Sequence, residues 1–305
     1  MSPPNVPSAS TATHPTVTDR LRWIEWEMTH LMAPKATAKK AAAAMFARGT
    51  GGAVLVAEGD SWFDYPPGMD VVDVLEDAGY NVYCVAAAGA TVEDMAYGPD
   101  TDQPISDFFM RDASQLAETM RYIREQRPKA VLFSGGGNDI AGDELTPLLN
   151  KKNAGGDPLR TAMVEALFEG TLKEGYRTFL RMVESESKAQ GRTIPVIGHG
   201  YDYPFPDGRG VVNVLGFHFL GPWLAPSLRK KGYSEVEGRG IVMRLIDRHN
   251  RMLADLATEL PFFHPVDLRG TLTSSSDWAN ELHPTNDGFK RVAKKIQAQL
   301  SALGI

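Results

Sequence analysis

Five short apolar runs, separated by longer helical patterns, constrain the fold of this chain more than any other feature. The runs are Ala53–Ala57, Asn81–Ala86, Ala130–Phe133, Ile194–Ile197 and Phe262–Val266. Strands that are covered on both faces are continuously apolar, and parallel strands need crossover connections between them. Because such crossovers are right-handed, the pattern predicts a three-layer α/β/α domain around a five-stranded parallel sheet.

The segments around these runs predict helices and the limits of the domain. The predicted helices are Asp70–Ala78, Ser106–Gln126, Leu159–Ala189, Val236–Leu260 and Gly288–Leu303. Residues 1–16 are rich in Pro, Ser and Thr and are expected to be a disordered tail. Residues 17–50 have apolar side chains at spacings of three and four and are expected to be a helical extension. The domain then spans 51–305, with a lid-like insertion at 201–233 that is rich in Gly, Pro and aromatic residues.

Composition narrows the class of function. The net charge of −6 argues against a broad nucleic-acid-binding surface. Cys84 is the single cysteine, so the chain cannot form an internal disulfide. No stretch approaches the roughly 20 apolar residues of a membrane span, and the N-terminus lacks the apolar segment of a secretory signal. We therefore expect a cytoplasmic protein with a small-molecule partner, no nucleic-acid partner and no integral membrane association.

A serine and a histidine are predicted to meet at one edge of the sheet. Ser61 follows the first strand in Gly59-Asp60-Ser61-Trp62, and parallel sheets bind ligands at the carboxyl ends of their strands. A serine nucleophile needs a base, which is most often histidine. Of the seven histidines, only His283 lies in a loop after the last strand and begins a Pro-capped helix. Ser61 is therefore the candidate nucleophile and His283 the candidate base.

Loops that follow the next strands offer hydrogen-bond donors for an oxyanion. Attack on an ester carbonyl places negative charge on its oxygen, and fixed donors aimed there supply a large catalytic effect. The backbone N–H of Ser61, the backbone N–H of Gly89 and the side-chain amide of Asn138 are the three candidates. Gly89 follows the second strand, and its lack of a side chain permits close approach to a ligand. No Gly-Lys-Ser/Thr follows the Gly135–Asp139 run, so a phosphate-binding loop is not predicted there.

The order Ser61, Gly89, Asn138 and His283 along the chain resembles that of the SGNH, or GDSL-type, hydrolases. These enzymes are named for a catalytic Ser, Gly, Asn and His in four sequence blocks. The matching blocks are Gly59-Asp60-Ser61, Gly89, Gly137-Asn138-Asp139, and His283-Pro284 with Gly288. Trp62 stands where leucine is common in the family. The resemblance covers about Gly51 to the C-terminus. It implies a flavodoxin-like sheet and hydrolysis of carboxylic esters, such as acyl or acetyl esters of lipids, sugars or small alcohols, without a metal or other cofactor.

One position departs from the family pattern. The family usually carries an aspartate three residues before the histidine, and this chain has Asn280 there. The acid orients the imidazole and stabilises imidazolium. Asn280 can orient the ring through its amide oxygen but contributes no charge. Glu281 and Asp277 are alternative acids, and a backbone carbonyl is a further possible partner for the ring.

Substrate contacts and the class of activity leave alternatives open. Trp62 and Phe63 follow the serine and Asp202 follows the fourth strand, so these three residues are the candidate substrate-binding residues. An acyltransferase would use the same site. A metal-dependent phosphoesterase would need oxygen and nitrogen ligands, and the chain offers Asp60, Asn138, His199, Asp202 and His283. A non-catalytic ligand-binding module on the same fold is a third alternative.

Overall fold

The computed structural model describes residues 52–65, 68–98, 115–211 and 221–305, with the backbone of 213–214 and 217–218. The expected tail at 1–16 and the expected helical extension at 17–50 lie outside these residues. The first part of the helix predicted from Ser106 also lies outside them.

A five-stranded sheet, parallel throughout, forms the centre of the domain. Its strands are β1 (Val54–Gly59), β2 (Asn81–Cys84), β3 (Ala130–Ser134), β4 (Val196–His199) and β7 (Phe263–Val266). The strand order is β2-β1-β3-β4-β7, and every neighbouring pair is parallel. Within the insertion, β5 (Asn213–Val214) and β6 (Phe217–His218) form a separate antiparallel pair. The predicted fold class, a three-layer α/β/α domain with a five-stranded parallel sheet, is confirmed.

Helices cover both faces of this sheet. They are α1 (Val71–Asp77), α2 (Val92–Tyr97), α3 (Gln115–Gln126), α4 (Leu145–Leu148), α5 (Thr161–Glu165), α6 (Lys173–Ala189), α7 (Ala225–Lys230), α8 (Glu235–Glu259) and α9 (Asn286–Ala302). On one face α1 packs against α9, and on the other α6 packs against α2, α3 and α8. A π-helical stretch, Ala166–Leu172, joins α5 to α6 within what the sequence predicted as one helix. No helix in the described ranges is long and apolar enough to cross a membrane.

The sheet interior explains why the strand residues are continuously apolar. Leu55, Val56 and Ala57 of β1 and Val131 and Leu132 of β3 have no exposed surface. Successive residues of a strand point to opposite faces, so a strand covered on both faces buries all of them. Full burial of each large aliphatic side chain stabilises the fold by roughly 1.5–3 kcal/mol.

Gly59 fixes the place where β1 ends beside β3. A Cβ atom on Gly59 would lie 2.7 Å from the carbonyl oxygen of Ser134. A side chain at this position would therefore push the two strands apart at the edge where Ser61 follows. The glycine of the Gly59-Asp60-Ser61 block is therefore needed for the close packing of β1 against β3.

Candidate active site

A buried carboxylate holds the turn that carries Ser61. Asp60 Oδ1 accepts hydrogen bonds from the backbone N–H of Trp62 at 3.0 Å and from the Ser134 hydroxyl at 2.7 Å. The Tyr201 hydroxyl donates to the other oxygen, Oδ2. Burial raises the pKa of Asp60, and these hydrogen bonds act in the opposite direction. The turn is thus fixed to the ends of β3 and β4, and it presents a Ser61 that is 9% exposed.

His283 meets Ser61 directly. Its Nε2 lies 2.7 Å from Ser61 Oγ, within hydrogen-bonding distance. The ring of Tyr65 stacks on the imidazole with centroids 4.3 Å apart, and Trp223 approaches it edge-on at 5.8 Å. The indole N–H of Trp62 donates to the carbonyl of Leu282 at 3.0 Å. This bond ties the loop that carries the histidine to the turn that carries the serine.

Asn280 fixes the tautomer of His283. Asn280 Oδ1 accepts from the backbone N–H groups of Leu282 and His283, each at 2.9 Å, and Asn280 Nδ2 donates to the Tyr65 hydroxyl at 3.1 Å. These partners define which end of the amide is oxygen. The same oxygen lies 2.9 Å from His283 Nδ1, so Nδ1 must carry the proton. Nε2 is then left as the acceptor that faces the serine hydroxyl.

The electrostatics of the site keep His283 neutral. Burial lowers the pKa of His283 to about 3, because removal from water disfavours the charged imidazolium. Asn280 supplies orientation without charge. The site therefore contains an uncharged imidazole that is hydrogen-bonded on both nitrogens.

The two alternative acids lie elsewhere. Glu281 is fully buried and accepts hydrogen bonds from the backbone N–H groups of Gly208, Leu224 and Ala225, at 2.7–3.0 Å. It therefore fastens the insertion to the histidine loop instead of contacting the ring. Asp277 accepts from the backbone N–H of Ser274 at 2.9 Å and pairs with Arg291 at 2.6 Å. The structure does not support either acid as the orienting partner of His283.

The candidate oxyanion donors lie on adjacent loops. Asn138 Nδ2 donates to the carbonyl of Ala90 at 2.8 Å, which joins the loop after β3 to the loop after β2. One of the two amide hydrogens is used in this bond, since a side-chain amide has two. Gly89 has φ of +82°, a left-handed conformation that glycine adopts without strain. The carboxylate of Asp139 accepts from the N–H of Val92 at 3.2 Å and so braces the start of α2.

A small cavity opens beside Ser61. Its accessible volume is about 30 Å³. It is lined by Asp60, Ser61, Trp62, Gly137, Asn138, Ile140, Tyr201, Asp202, Pro204, Leu224, Val242, Ile246, Trp278, Glu281 and Leu282. Of the three candidate substrate-binding residues, Trp62 and Asp202 contribute to this lining. Phe63 does not: it is only 1% exposed and packs edge-on against His199 in the core, so the structure does not support a substrate contact for Phe63.

The residues proposed as metal ligands in the phosphoesterase alternative have other partners. Asp202 Oδ1 accepts from the N–H groups of Tyr203 and Gly270, each at 2.8 Å, and Asp60 is engaged as described above. His199 Nδ1 faces the carbonyl of Gly200 at 2.9 Å. In the described ranges, no three His, Cys, Asp or Glu side chains form a group that could hold a metal ion.

Sequence reasoning did not predict the contacts that three aromatic residues make with the catalytic residues. Tyr65 stacks on His283 and contacts Asn280, Tyr201 contacts Asp60, and Trp223 borders the imidazole. Two of them carried a usable signal. Tyr201 follows β4 at the same sheet edge as the other candidates, and Tyr65 is four residues from the serine. Trp223 belongs to the predicted aromatic-rich insertion, but its contact with the imidazole depends on the path of that long irregular segment.

Comparisons with known proteins give similarity of fold. No protein-family model matches the chain, and no curated protein matches it in sequence. Solved structures with a similar fold include an arylesterase candidate from Agrobacterium tumefaciens, with 18% identity over 82% of this chain and 99% of the other, at a TM-score of 0.46. A lipase from a goat rumen metagenome has 15% sequence identity over 81% of this chain and 96% of its own, at a TM-score of 0.46. A family 3 carbohydrate esterase from Clostridium thermocellum has 12% sequence identity over 82% of this chain and 96% of its own, at a TM-score of 0.44.

Proposed function

We propose that the protein is a serine hydrolase of carboxylic esters. The observation that carries this proposal is the 2.7 Å contact between Ser61 Oγ and His283 Nε2, with Nε2 free to accept a proton. Such a nucleophile–base pair, with the base oriented by a third residue, is the usual requirement for activating a serine. The order of the four sequence blocks supports the same reaction class.

The reaction proceeds through an acyl-enzyme. Ser61 Oγ forms a bond to the ester carbonyl carbon while His283 Nε2 takes the hydroxyl proton. The bond from that carbon to the alcohol oxygen then breaks, and the same nitrogen returns the proton to the departing alcohol. Water repeats the sequence in the second half-reaction, which releases the carboxylic acid and regenerates Ser61. An alcohol in place of that water would make the protein an acyltransferase.

Three donors would stabilise the oxyanion in both half-reactions: the N–H of Ser61, the N–H of Gly89 and the free amide hydrogen of Asn138. Preorganised donors of this kind are usually the largest single contribution to acyl-transfer catalysis. The Asn138–Ala90 hydrogen bond at 2.8 Å supports the idea that the amide is held in one orientation before substrate binds.

Asn280 is assigned a positioning role. Its oxygen holds Nδ1–H of His283, so that the imidazole has the correct tautomer throughout. Because the amide is neutral, it offsets less of the positive charge that develops on the ring than an aspartate would. The protein thus combines a correctly oriented base with weak stabilisation of imidazolium.

Hydrolysis of p-nitrophenyl acetate by the purified full-length chain tests the proposal. Ser61→Ala should abolish turnover, whereas Ser301→Ala, an exposed serine near the end of α9, should leave it unchanged. Far-UV circular dichroism and thermal unfolding of both variants provide the folding control. Full activity in a folded Ser61→Ala protein would refute the proposed nucleophile.

A further inference from the structure

The cavity beside Ser61 is small and largely apolar. Four aliphatic side chains contribute to its lining: Ile140, Leu224, Val242 and Ile246. Val242 and Ile246 are four residues apart, so they lie on the same face of α8. A water molecule needs roughly 10–15 Å³ of accessible space. The cavity, at about 30 Å³, therefore has room for about two water-sized groups.

The carboxylates in the lining do not make the cavity a polar site. Asp60 accepts from Trp62 N–H and the Ser134 hydroxyl, and Glu281 accepts from three backbone N–H groups of the insertion. Asp202 accepts from backbone N–H groups, including that of Gly270 at 2.8 Å. Since these oxygens already have protein donors, the space beside Ser61 favours an uncharged, apolar group.

The position of the cavity identifies which part of an ester enters it. Ser61 and Asn138, the nucleophile and a candidate oxyanion donor, both contribute to its lining, whereas His283 does not. The departing alcohol must lie against His283 Nε2 in order to receive its proton. A group in this cavity is therefore joined to the carbonyl carbon on the acyl side.

We infer that the enzyme is selective for short acyl groups, of acetyl or propionyl size, and that Ile246 and Val242 of α8 set the length limit. This inference rests on the proposed ester hydrolysis and names its substrate class. The acyl carbon chain points toward α8 while the carbonyl oxygen faces Asn138. A longer chain must displace side chains of a packed core to enter, which is unfavourable.

A series of p-nitrophenyl esters from acetate to octanoate measures this limit. The ratio of kcat/KM values for two esters is independent of the fraction of active enzyme. We expect comparable values for acetate and propionate and a fall of about tenfold or more by hexanoate, in line with the discrimination reached by hydrophobic pockets. Ser61→Ala serves as the blank for every ester.

Two variants of α8 test the assignment, with a matched control. Ile246→Ala should raise the hexanoate-to-acetate ratio by about tenfold or more, because it removes part of the wall. Val242→Ile should lower the propionate-to-acetate ratio. Leu245→Ala truncates a neighbouring side chain that is equally buried but does not line the cavity, and it should leave both ratios unchanged.

The outcomes separate the inference from the function on which it rests. If the wild-type protein shows Ser61-dependent hydrolysis but prefers hexanoate or octanoate, the short-acyl inference is wrong and the proposed function stands. If Ile246→Ala leaves the ratio unchanged, or Leu245→Ala changes it equally, the assignment to α8 is wrong. If no ester in the series is hydrolysed in a Ser61-dependent manner, the proposed function fails, and the inference fails with it.

Discussion

Replacing Asn280 by aspartate should move the acid limb of the pH–rate profile upward. In the wild-type protein burial lowers the pKa of His283 to about 3, and a general base must be neutral to work. Activity should therefore persist well below pH 6.5, the ordinary pKa of histidine. The limb appears only when the pH approaches the lowered pKa, because protonation then removes the base.

The size of the shift follows from the geometry. Asn280 Oδ1 lies 2.9 Å from His283 Nδ1, so Asn280→Asp places a carboxylate in direct contact with the ring. A neighbouring carboxylate favours imidazolium and raises its pKa by roughly 1–3 units. Two unit charges about 4 Å apart interact by about 4 kcal/mol at an effective dielectric constant near 20, which is equivalent to about 3 units. Desolvation of the new carboxylate reduces the shift, since Asn280 is only 1% exposed.

The assay measures kcat/KM for p-nitrophenyl acetate from about pH 2.5 to pH 9, a range that includes the lowered pKa of His283, and each profile is fitted for its acid limb. Asn286→Asp is the matched control, because it adds the same charge at an exposed position at the start of α9. We expect a shift of about 1–3 units for Asn280→Asp and nearly none for Asn286→Asp. An acid limb that stays in place in Asn280→Asp, or a wild-type limb already at pH 6.5 or above, would refute this account of the histidine.

Three further substitutions test separate parts of the structure. Asn138→Ala should lower kcat by on the order of 10²–10³ with a smaller change in KM, as for other single oxyanion donors, and a pure KM effect would contradict that role. Glu281→Gln should lower the free energy of unfolding by roughly 1–3 kcal/mol, because one of the two oxygens that accept from backbone N–H groups is replaced by an NH2 donor. The acid limb should stay in place, and a shifted limb would show that Glu281 acts on His283. Burial raises the pKa of Glu58 from 4.5 to about 8. Between these two pH values the folded state therefore binds more protons than the unfolded state, so the free energy of unfolding falls as the pH rises. Glu58→Gln should therefore flatten the fall of Tm from pH 6 to 9, and an unchanged slope would contradict the assignment.

The fold was predictable because its signals are local and repeated. Each strand of the sheet is a short apolar run, and covering both faces requires such runs. Some differences lie at element ends: β1 extends to Gly59 instead of ending at Ala57, and α9 begins at Asn286 instead of Gly288. The short helix α2 was missed, because its six residues give too little periodicity to recognise.

The candidate site was predictable only where residues follow strands of the sheet. Ser61 and His283 were paired because parallel strands end at one edge, and the structure brings them within 2.7 Å of one another. Whether Asn280 or Glu281 orients the imidazole of His283 depended on the directions of two adjacent side chains. The loop sequence alone does not determine these directions. The burial that lowers the pKa of His283 depends on Tyr65 and on the path of the insertion, and neither contact could be inferred from the order of the sequence blocks.

Covalent labelling of the nucleophile tests the central claim most directly. The wild-type chain, Ser61→Ala and His283→Ala are each treated with a p-nitrophenyl organophosphonate, and the adduct is counted by intact mass and located by peptide mapping. We predict one adduct per wild-type chain, on Ser61, none in Ser61→Ala, and labelling slowed by at least about a hundredfold in His283→Ala. An adduct on another residue, or labelling of the His283→Ala protein at the wild-type rate, would contradict the claim that Ser61 is a nucleophile activated by His283.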